Sequence, residues 1–100
     1  MILEVAILYI IQGKEKQFEE DFKLAGKYIS SMSGYVNHSL KKCIEQDNKY
    51  LLLVNWKNLE DHTIGFRQSA EYTKWKEMLH KYYDPFPTVE HFETVIAVEQ

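Results

Sequence analysis

The sequence has few of the residues and segments that mark several classes of protein. Its single cysteine, Cys43, excludes an internal disulfide and a zinc site built from several cysteines. It has no basic run, no zinc-finger spacing and no RNA-binding aromatic motif, and its formal net charge is only -3. We therefore expect no nucleic-acid partner, because such partners attract clustered positive charge.

Signals for membranes, export and cofactors are also missing. The longest apolar runs are too short to cross a bilayer, so no membrane partner is expected. Met1 is followed at once by strand-like sequence, without a basic region or a cleavable apolar segment, which predicts a cytoplasmic location. No glycine-rich phosphate loop and no flavin or nicotinamide fingerprint occurs, so we expect no cofactor.

What is present indicates one folded domain. The 100 residues are 45% apolar and 14% aromatic, which is typical of a globule with a single core. We therefore predict one domain over residues 1–100. A domain of this size buries only about two-thirds of its unfolded surface, so a partner interface would add useful stability.

In the first third of the chain, the spacing of the apolar residues changes once, from a strand-like to a helical pattern. Residues 1–11 are almost continuously apolar, interrupted only by Glu4, which predicts a strand buried on both faces. Residues 14–32 then predict a helix, because their apolar residues recur at helical spacing. These residues are Phe18, Phe22, Ala25, Ile29 and Met32. Gly34 lies where a left-handed helix terminator is expected.

A hairpin is predicted in the middle of the chain. Residues 35–45 alternate loosely, and Lys41 and Lys42 suit an edge strand, where charge discourages unwanted pairing. Residues 46–48 form its turn. Residues 50–56 are the second strand of the hairpin, and both of its faces are apolar.

The last third predicts helical segments and a final strand. Asn58 can cap one helical segment and Ser69 a second. The apolar stripe of this region is Tyr72, Trp75, Leu79 and Tyr82. Pro85 ends it, and residues 89–98 are predicted to form the last strand.

The order of elements is β-α-β-β-α-β, the ferredoxin-like split unit. We therefore predict an α+β fold with a four-stranded antiparallel sheet. In that topology the first and third strands are central, and these are also the two most apolar strands of the sequence.

Both central strands also predict a homodimer. Two helices cover one face of the sheet, and the other face of a monomer should be polar. Here the second face would expose several large apolar side chains, each contributing roughly 1.5–3 kcal/mol on burial. Two sheets packed face to face across a twofold axis would cover them. The alternative is that a swapped C-terminal strand or an unusual loop covers this face.

Residues 51–92 resemble the antibiotic biosynthesis monooxygenase family of dimeric α/β barrels. The likeness lies in the strand ending at Trp56, the spacer to His62, the run Phe66-Arg67-Gln68-Ser69, and Tyr72 with Trp75. The opening residues 2–5 and Gly13 fit the same pattern. The resemblance implies the fold, the dimer and a single domain of this kind. The family contains oxygenases, haem degraders and proteins of unknown role.

For the oxygenases, the resemblance implies a cofactor-independent monooxygenase acting on a phenolic or quinol-like aromatic molecule. A deprotonated substrate of this kind can itself reduce dioxygen. The protein then supplies only a dry aromatic pocket, a base and hydrogen-bond donors. We expect this pocket between the sheet and the second helical region.

Two residues are candidates for catalysis. His62 has an ordinary pKa near neutrality and suits a general base. Its alternative role is that of a partly exposed histidine at the start of a helix. Tyr72 can donate its hydroxyl to a developing oxyanion, although its helical spacing with Trp75 also suits core packing.

Four residues are candidates for substrate binding: Trp56, Phe66, Arg67 and Trp75. The three aromatic residues could line the pocket or fill the core. Arg67 could pair with an acidic group of the substrate or with a surface carboxylate. His80 and His91 could meet His62 in space, but no local spacing of metal ligands supports a metal site.

Two alternatives to an oxygenase remain open. One is a dimer that binds or senses a small ligand without chemistry. The other is a haem-binding or haem-degrading protein. In an alignment through Gly13, the haem degraders' asparagine, tryptophan and histidine fall at or near Ala6, Phe66 and Trp75-Lys76, and none matches. A shifted register would place a histidine ligand at His80.

Overall fold

The computed structural model describes residues 1–99. Strand β1 spans Ile2–Tyr9, helix α1 Glu15–Ser30, strand β2 Tyr35–Lys42 and strand β3 Lys49–Trp56. A short π-helical segment, Asp61–Phe66, follows, and helix α2 spans Ala70–Leu79. A single 3-10 turn, His80–Tyr82, leads to strand β4, Val89–Phe92. The predicted order of strands and helices is confirmed.

The four strands form one antiparallel sheet in the order β2-β3-β1-β4. The predicted α+β ferredoxin-like fold is therefore confirmed, with β1 and β3 in the centre and the lysine-bearing β2 at an edge. Glu4 of β1 lies between Val54 of β3 and His91 of β4 in the register. This register brings Glu4 and His91 side by side on the same face of the sheet.

Both helices pack on one face of the sheet. The side chains of β1 alternate, so that Ala6 and Leu8 face the helices and are almost fully buried. The stripe of α1 meets them with Phe18, Phe22, Ala25 and Ile29, all buried as predicted. Ser69 caps α2, because its Oγ accepts a hydrogen bond from the Tyr72 backbone N–H at 3.0 Å.

The turn after α1 helps to place the π-helical segment. Gly34 has φ +83°, a conformation that side chains with a Cβ rarely adopt. A Cβ at this position would also collide with the Asp61 carboxylate. The Asp61 carboxylate in turn accepts a hydrogen bond from the backbone N–H of Asn58 at 3.1 Å. Asp61 begins the segment that carries His62, so this close contact sets where His62 lies.

The last strand is shorter than predicted. It ends at Phe92, and the prediction that it continues to residue 98 is wrong. Phe92 already pairs with Leu3, the second residue of β1, so only Ile2 of β1 lies beyond this pair. Val95, Ile96 and Val98 are 88%, 81% and 86% exposed as a result.

The face of the sheet opposite the helices carries an apolar patch along its central strands, and nothing in the protomer covers this patch. Leu3, Val5, Ile7 and Tyr9 alternate with the buried residues of β1 and are partly or largely exposed. Leu51 and Leu53 of β3 and Phe92 of β4 continue this open face. Across residues 1–99, no helix is long and apolar enough to span a membrane.

Candidate functional site

A cavity of about 230 Å³ lies between the sheet and helix α2. Its floor is formed by side chains of β1 and β3, including Glu4, Ala6, Leu8 and Leu52. Its walls come from the π-helical segment, α2 and the segment before β4. The polar side chains that line it are Glu4, His62, Arg67, Tyr72, His80 and Tyr83.

Glu4 is the acidic group of the cavity floor. It is only 5% exposed, because it points from the central strand β1 toward the helices. The indole Nε1–H of Trp56 donates a hydrogen bond to its Oε1 at 3.0 Å. Burial raises the pKa of Glu4 to about 6, although this hydrogen bond and the charge of Arg67 oppose the shift. Glu4 is therefore poised to exchange a proton near neutral pH.

His62 is buried beside Glu4. Its Nε2 lies 3.3 Å from Glu4 Oε1, and its ring stacks on Trp56 with the ring centroids 5.5 Å apart. Burial, together with Arg67 and His91, lowers the pKa of His62 to about 3. The imidazole is therefore neutral at physiological pH.

His91 completes a line of three side chains. His62 Nδ1 and His91 Nε2 are 2.7 Å apart, within hydrogen-bonding distance. His91 lies on the edge strand β4 and is partly exposed, whereas His62 is 3% exposed. Burial and Arg67 lower the pKa of His91 as well.

Aromatic rings form the apolar wall of the cavity. Phe66 meets Tyr72 edge to face at 5.2 Å between centroids and Trp75 at 5.8 Å. Tyr83 is also part of the lining, and burial raises its pKa. Phe86 lies at the rim and is 63% exposed. Such a wall suits a flat apolar or aromatic ligand.

Arg67 and His80 are two further polar side chains of the lining. Arg67 is exposed and takes part in none of the ion pairs found within residues 1–99. Its guanidinium is therefore available at the cavity. His80 packs against Phe86 at 4.9 Å and Tyr83 at 5.3 Å between centroids. Burial lowers the pKa of His80.

Most of the residues predicted from the sequence meet at this cavity. His62, Phe66, Arg67, Tyr72 and Trp75 all belong to its lining. Trp56 does not: it is fully buried behind the floor, where it contacts Glu4 and His62. Catalytic and binding roles for these residues remain predictions.

The sequence reasoning missed Glu4 as a site residue and gave His91 only a place in a metal site. Glu4 had a signal, since it was the one charge in a strand that was otherwise apolar. A charged side chain buried in such a strand is costly unless a partner pairs or hydrogen-bonds with it, so it indicates either a buried polar contact or a functional site. His91 had no comparable signal, because its proximity to Glu4 depends on the register of β4.

The three aligned side chains do not converge as metal ligands would. The two nitrogens of His62 face different partners, Glu4 on one side and His91 on the other. Among residues 1–99, no group of three or more metal-ligating side chains could hold an ion. The arrangement is a row of three polar side chains, with a hydrogen bond between His62 and His91 and a 3.3 Å approach between His62 and Glu4, which suits proton transfer.

The fold places this chain among the small α+β proteins of ferredoxin-like topology, with an aromatic-lined cavity under the second helix. The family model described as antibiotic biosynthesis monooxygenase matches residues 1–78. The chain belongs to this family, as its sequence resemblance indicated. The matched region contains Glu4, His62 and Tyr72, and His91 lies beyond it.

One relative in sequence is the uncharacterized protein YczJ of Bacillus subtilis (strain 168). It is 57% identical over 95 residues, which cover 95% of this chain and all of YczJ. The two proteins therefore share one domain along nearly their full length.

Solved structures show the same fold. A protein from Bordetella bronchiseptica, described as a putative antibiotic biosynthesis monooxygenase, is 28% identical with a TM-score of 0.91. The match covers 95% of this chain and 97% of that chain. SnoaB of Streptomyces nogalater, a cofactor-independent oxygenase, is 17% identical with a TM-score of 0.79. That match covers 99% and 98% of the two chains, and at this identity it shows the fold alone.

Proposed function

We propose that the protein is a cofactor-independent monooxygenase that oxidises a small phenolic or quinol-like aromatic molecule in the cavity beneath α2. The main support for this proposal is Glu4, a buried carboxylate in the cavity floor whose pKa is raised to about 6. A base of this strength, enclosed by aromatic rings, suits removal of a proton from a phenol or an enolisable carbon. Family membership supports the same reaction class.

The chemistry needs dioxygen as the only co-reactant. Ionised Glu4 takes a proton from the substrate, and the resulting anion transfers an electron to dioxygen. The two radicals combine into a carbon-bound peroxide, to which Glu4 returns its proton. The carbon then loses its remaining hydrogen as a proton while the O–O bond breaks. The substrate thus loses two hydrogens and gains one oxygen atom, and the second oxygen atom leaves as water.

The surrounding side chains have distinct roles in this proposal. His62 is neutral at physiological pH, so it holds and relays protons for Glu4 and is not itself the initial base. Tyr72 donates its hydroxyl to the substrate oxyanion. Phe66 and Trp75 enclose the aromatic ring. Arg67 attracts an anionic group at the cavity mouth.

Trp56 supports the base from behind and does not contact the substrate. Its indole N–H holds one oxygen of Glu4, and its ring stacks on His62. It therefore acts as a positioning residue in this scheme.

The cavity favours a substrate of one or two rings. Its volume of about 230 Å³ is below the roughly 300–1,000 Å³ of sites for drug-sized ligands. Haem is larger still, so this cavity disfavours the haem-binding alternative. Binding a ligand without chemistry does not require a carboxyl group with a raised pKa. The raised pKa of Glu4 therefore favours an enzyme over a ligand-binding protein.

Oxygen uptake with a panel of quinols, naphthols and anthrones tests this function. We expect uptake that is greatest with one- and two-ring compounds and falls by roughly 100-fold or more in Glu4→Gln, as for loss of a general base. The variant Glu20→Gln, which removes an exposed carboxylate on α1, serves as the matched control. If no compound is oxidised and several only raise the melting temperature, the protein is a ligand-binding module.

We also propose that the protein is a homodimer whose protomers pack through the open face of the sheet. This face carries several exposed apolar side chains, with Ile7 45% and Phe92 51% exposed in the protomer. Leaving such a surface in water is costly, and a twofold interface buries it against itself.

The dimer is tested by sedimentation of the purified protein at micromolar concentration. We expect a dimer for the wild type and a folded monomer for Ile7→Lys, because a charge at the centre of the interface would lack a partner. The control Leu24→Lys introduces the same charge on α1, at a side chain that is 62% exposed, and should leave the dimer intact. A wild type that sediments as a monomer would overturn this proposal.

A further inference from the structure

We propose that Glu4, His62 and His91 form a proton pathway from the cavity floor to solvent at the edge strand β4. The three side chains come from three separate elements and lie in line. His62 Nε2 is 3.3 Å from Glu4 Oε1, and His62 Nδ1 is 2.7 Å from His91 Nε2. The use of this pathway in turnover rests on the proposed function, but its existence can be measured without a substrate.

His62 has the geometry that a relay requires. A neutral imidazole carries a donor on one nitrogen and an acceptor on the other, and here each nitrogen faces one neighbour in the line. His62 is 3% exposed and Glu4 is 5% exposed, so both are shielded from bulk water. His91 is partly exposed at the sheet edge and provides the outer end. The 3.3 Å between His62 Nε2 and Glu4 Oε1 is slightly longer than a normal N–H···O hydrogen bond. This contact therefore has to tighten before a proton can pass, as catalytic contacts often do when substrate binds.

The proton count balances along the line. With Glu4 ionised, His62 carries its proton on Nε2, facing the carboxylate, and its Nδ1 accepts from His91 Nε2–H. His91 Nδ1 then takes a proton from water, His91 Nε2 passes one to His62 Nδ1, and His62 Nε2 passes one to Glu4. Glu4 ends protonated, and both rings are neutral with their protons on Nδ1. The reverse sequence releases one proton to water.

The surroundings favour neutral rings over a trapped imidazolium. The positive charge of Arg67 acts on all three members of the line and disfavours a second positive charge there. Trp56 faces Glu4 from β3, and Tyr72 and Tyr83 are the other titratable groups near it. His80 belongs to the same lining, where it packs against Tyr83 and Phe86. Concerted transfer through neutral histidines therefore fits this environment.

The direct test follows the histidine tautomers by nitrogen NMR of the whole protein, with carbon-labelled glutamate reporting on Glu4. The pH is lowered from about 8 to about 5, across the ordinary range of histidine and the raised range of Glu4. We expect the ring proton of His62 to move from Nε2 to Nδ1 as Glu4 gains its proton, while the ring stays neutral. A proton that stays on Nε2 throughout, or a doubly protonated His62, would overturn the pathway.

The variant His91→Phe keeps a ring at the outer position and removes both nitrogens. We expect Glu4 to titrate in this variant while the His62 proton stays on Nε2, because Nδ1–H would have no acceptor. His38→Phe is the control, since His38 lies on β2 against α1, and it should retain the change. A tautomer change that survives in His91→Phe contradicts the pathway. If that variant does not fold, the wild-type titration decides alone.

Turnover provides a second measurement. We expect His91→Ala to lower kcat by at least about tenfold with little change in KM, and added imidazole to restore it by replacing the lost relay group. Unimpaired turnover, or a loss that imidazole does not restore, would show that His91 carries no proton. A wild type that oxidises nothing but shows the tautomer change would sink the proposed function and leave the pathway standing.

Discussion

The two halves of the layer between sheet and helices differ in packing and in polarity. Under α1, Phe18 is fully buried and meets Phe22, Tyr50 and Tyr82 in edge-on or tilted aromatic contacts. Under α2, the layer instead contains a cavity and a buried carboxylate, Glu4. The α1 half therefore supplies stability, and the α2 half gives up some packing and solvation energy for a reactive site.

The largest effect is expected for a substitution in the close-packed α1 half. Phe18→Ala would leave a void among close-packed rings and cost about 3–5 kcal/mol of the free energy of unfolding. Urea unfolding at one fixed protein concentration measures it. A cost below about 1 kcal/mol would show that the α1 half can collapse and is no more rigid than the other.

The same substitution in the other half should cost less. Phe66 is 2% exposed but borders the existing cavity, so Phe66→Ala enlarges a space that water can enter. We expect a loss about 1 kcal/mol or more smaller than that of Phe18→Ala, because the residual void adds less to the cost. Parallel urea titrations of both variants give the difference. Equal losses would remove the distinction between the halves.

The Glu4 carboxylate should lower stability when it is ionised. Its pKa rises from 4.5 in the unfolded chain to about 6 in the fold, so the folded state favours the protonated form. The contribution of protonated Glu4 to the free energy of unfolding is complete below pH 4.5 and is lost as the pH rises through about 6. Relative to wild type, Glu4→Gln should therefore be more stable above that range than below it, by about 2 kcal/mol.

Unfolding measured at about pH 4.5 and about pH 8 checks this sign. The shift of His62 has the opposite dependence, but it is present in both proteins and largely cancels in the difference. Glu20→Gln, on the exposed surface of α1, should show no such gain. A Glu4→Gln protein that is less stable than wild type at about pH 8 would show that the fold prefers the carboxylate ionised.

The smallest change in the free energy of unfolding is expected from the loss of a polar contact in the α1 half. The Tyr82 hydroxyl donates a hydrogen bond to Asp21 Oδ2 at 2.6 Å, and this bond raises the pKa of Tyr82 to about 12. Tyr82→Phe should cost roughly 0.5–1 kcal/mol and leave oxygen uptake unchanged. Tyr72→Phe should do the reverse, lowering turnover with little loss of stability. Urea titration and oxygen uptake of both variants separate these outcomes.

Much of the fold was predictable from local patterns. The stripe of α1, the Ser69 cap and the central position of β1 and β3 all follow from periodicity and capping. The end of β4 was not predictable in this way. Residues 93–98 continue a strand-like pattern, but only one residue of β1, Ile2, lies beyond the last pair of β1 with β4. Strand length thus depended on the neighbour and not on the segment itself.

The candidate site was only partly predictable. His62, Tyr72 and Trp75 were named from the resemblance, and the structure places all three at one cavity. Trp56 was named with them but lies behind the floor, because the alternation of β3 and the packing of His62 decide what its ring contacts. Glu4 was visible only as an anomaly in an apolar strand.

By itself, the sequence determined the order of elements, the buried faces and the family of this protein. Those properties follow from periodicity and residue type, which act over a few neighbouring residues. Only the tertiary structure decided that Glu4, His62 and His91 meet, since they are far apart in the chain and depend on strand register. Burial then set the pKa values of these groups, because desolvation exists only once the layers have closed over them.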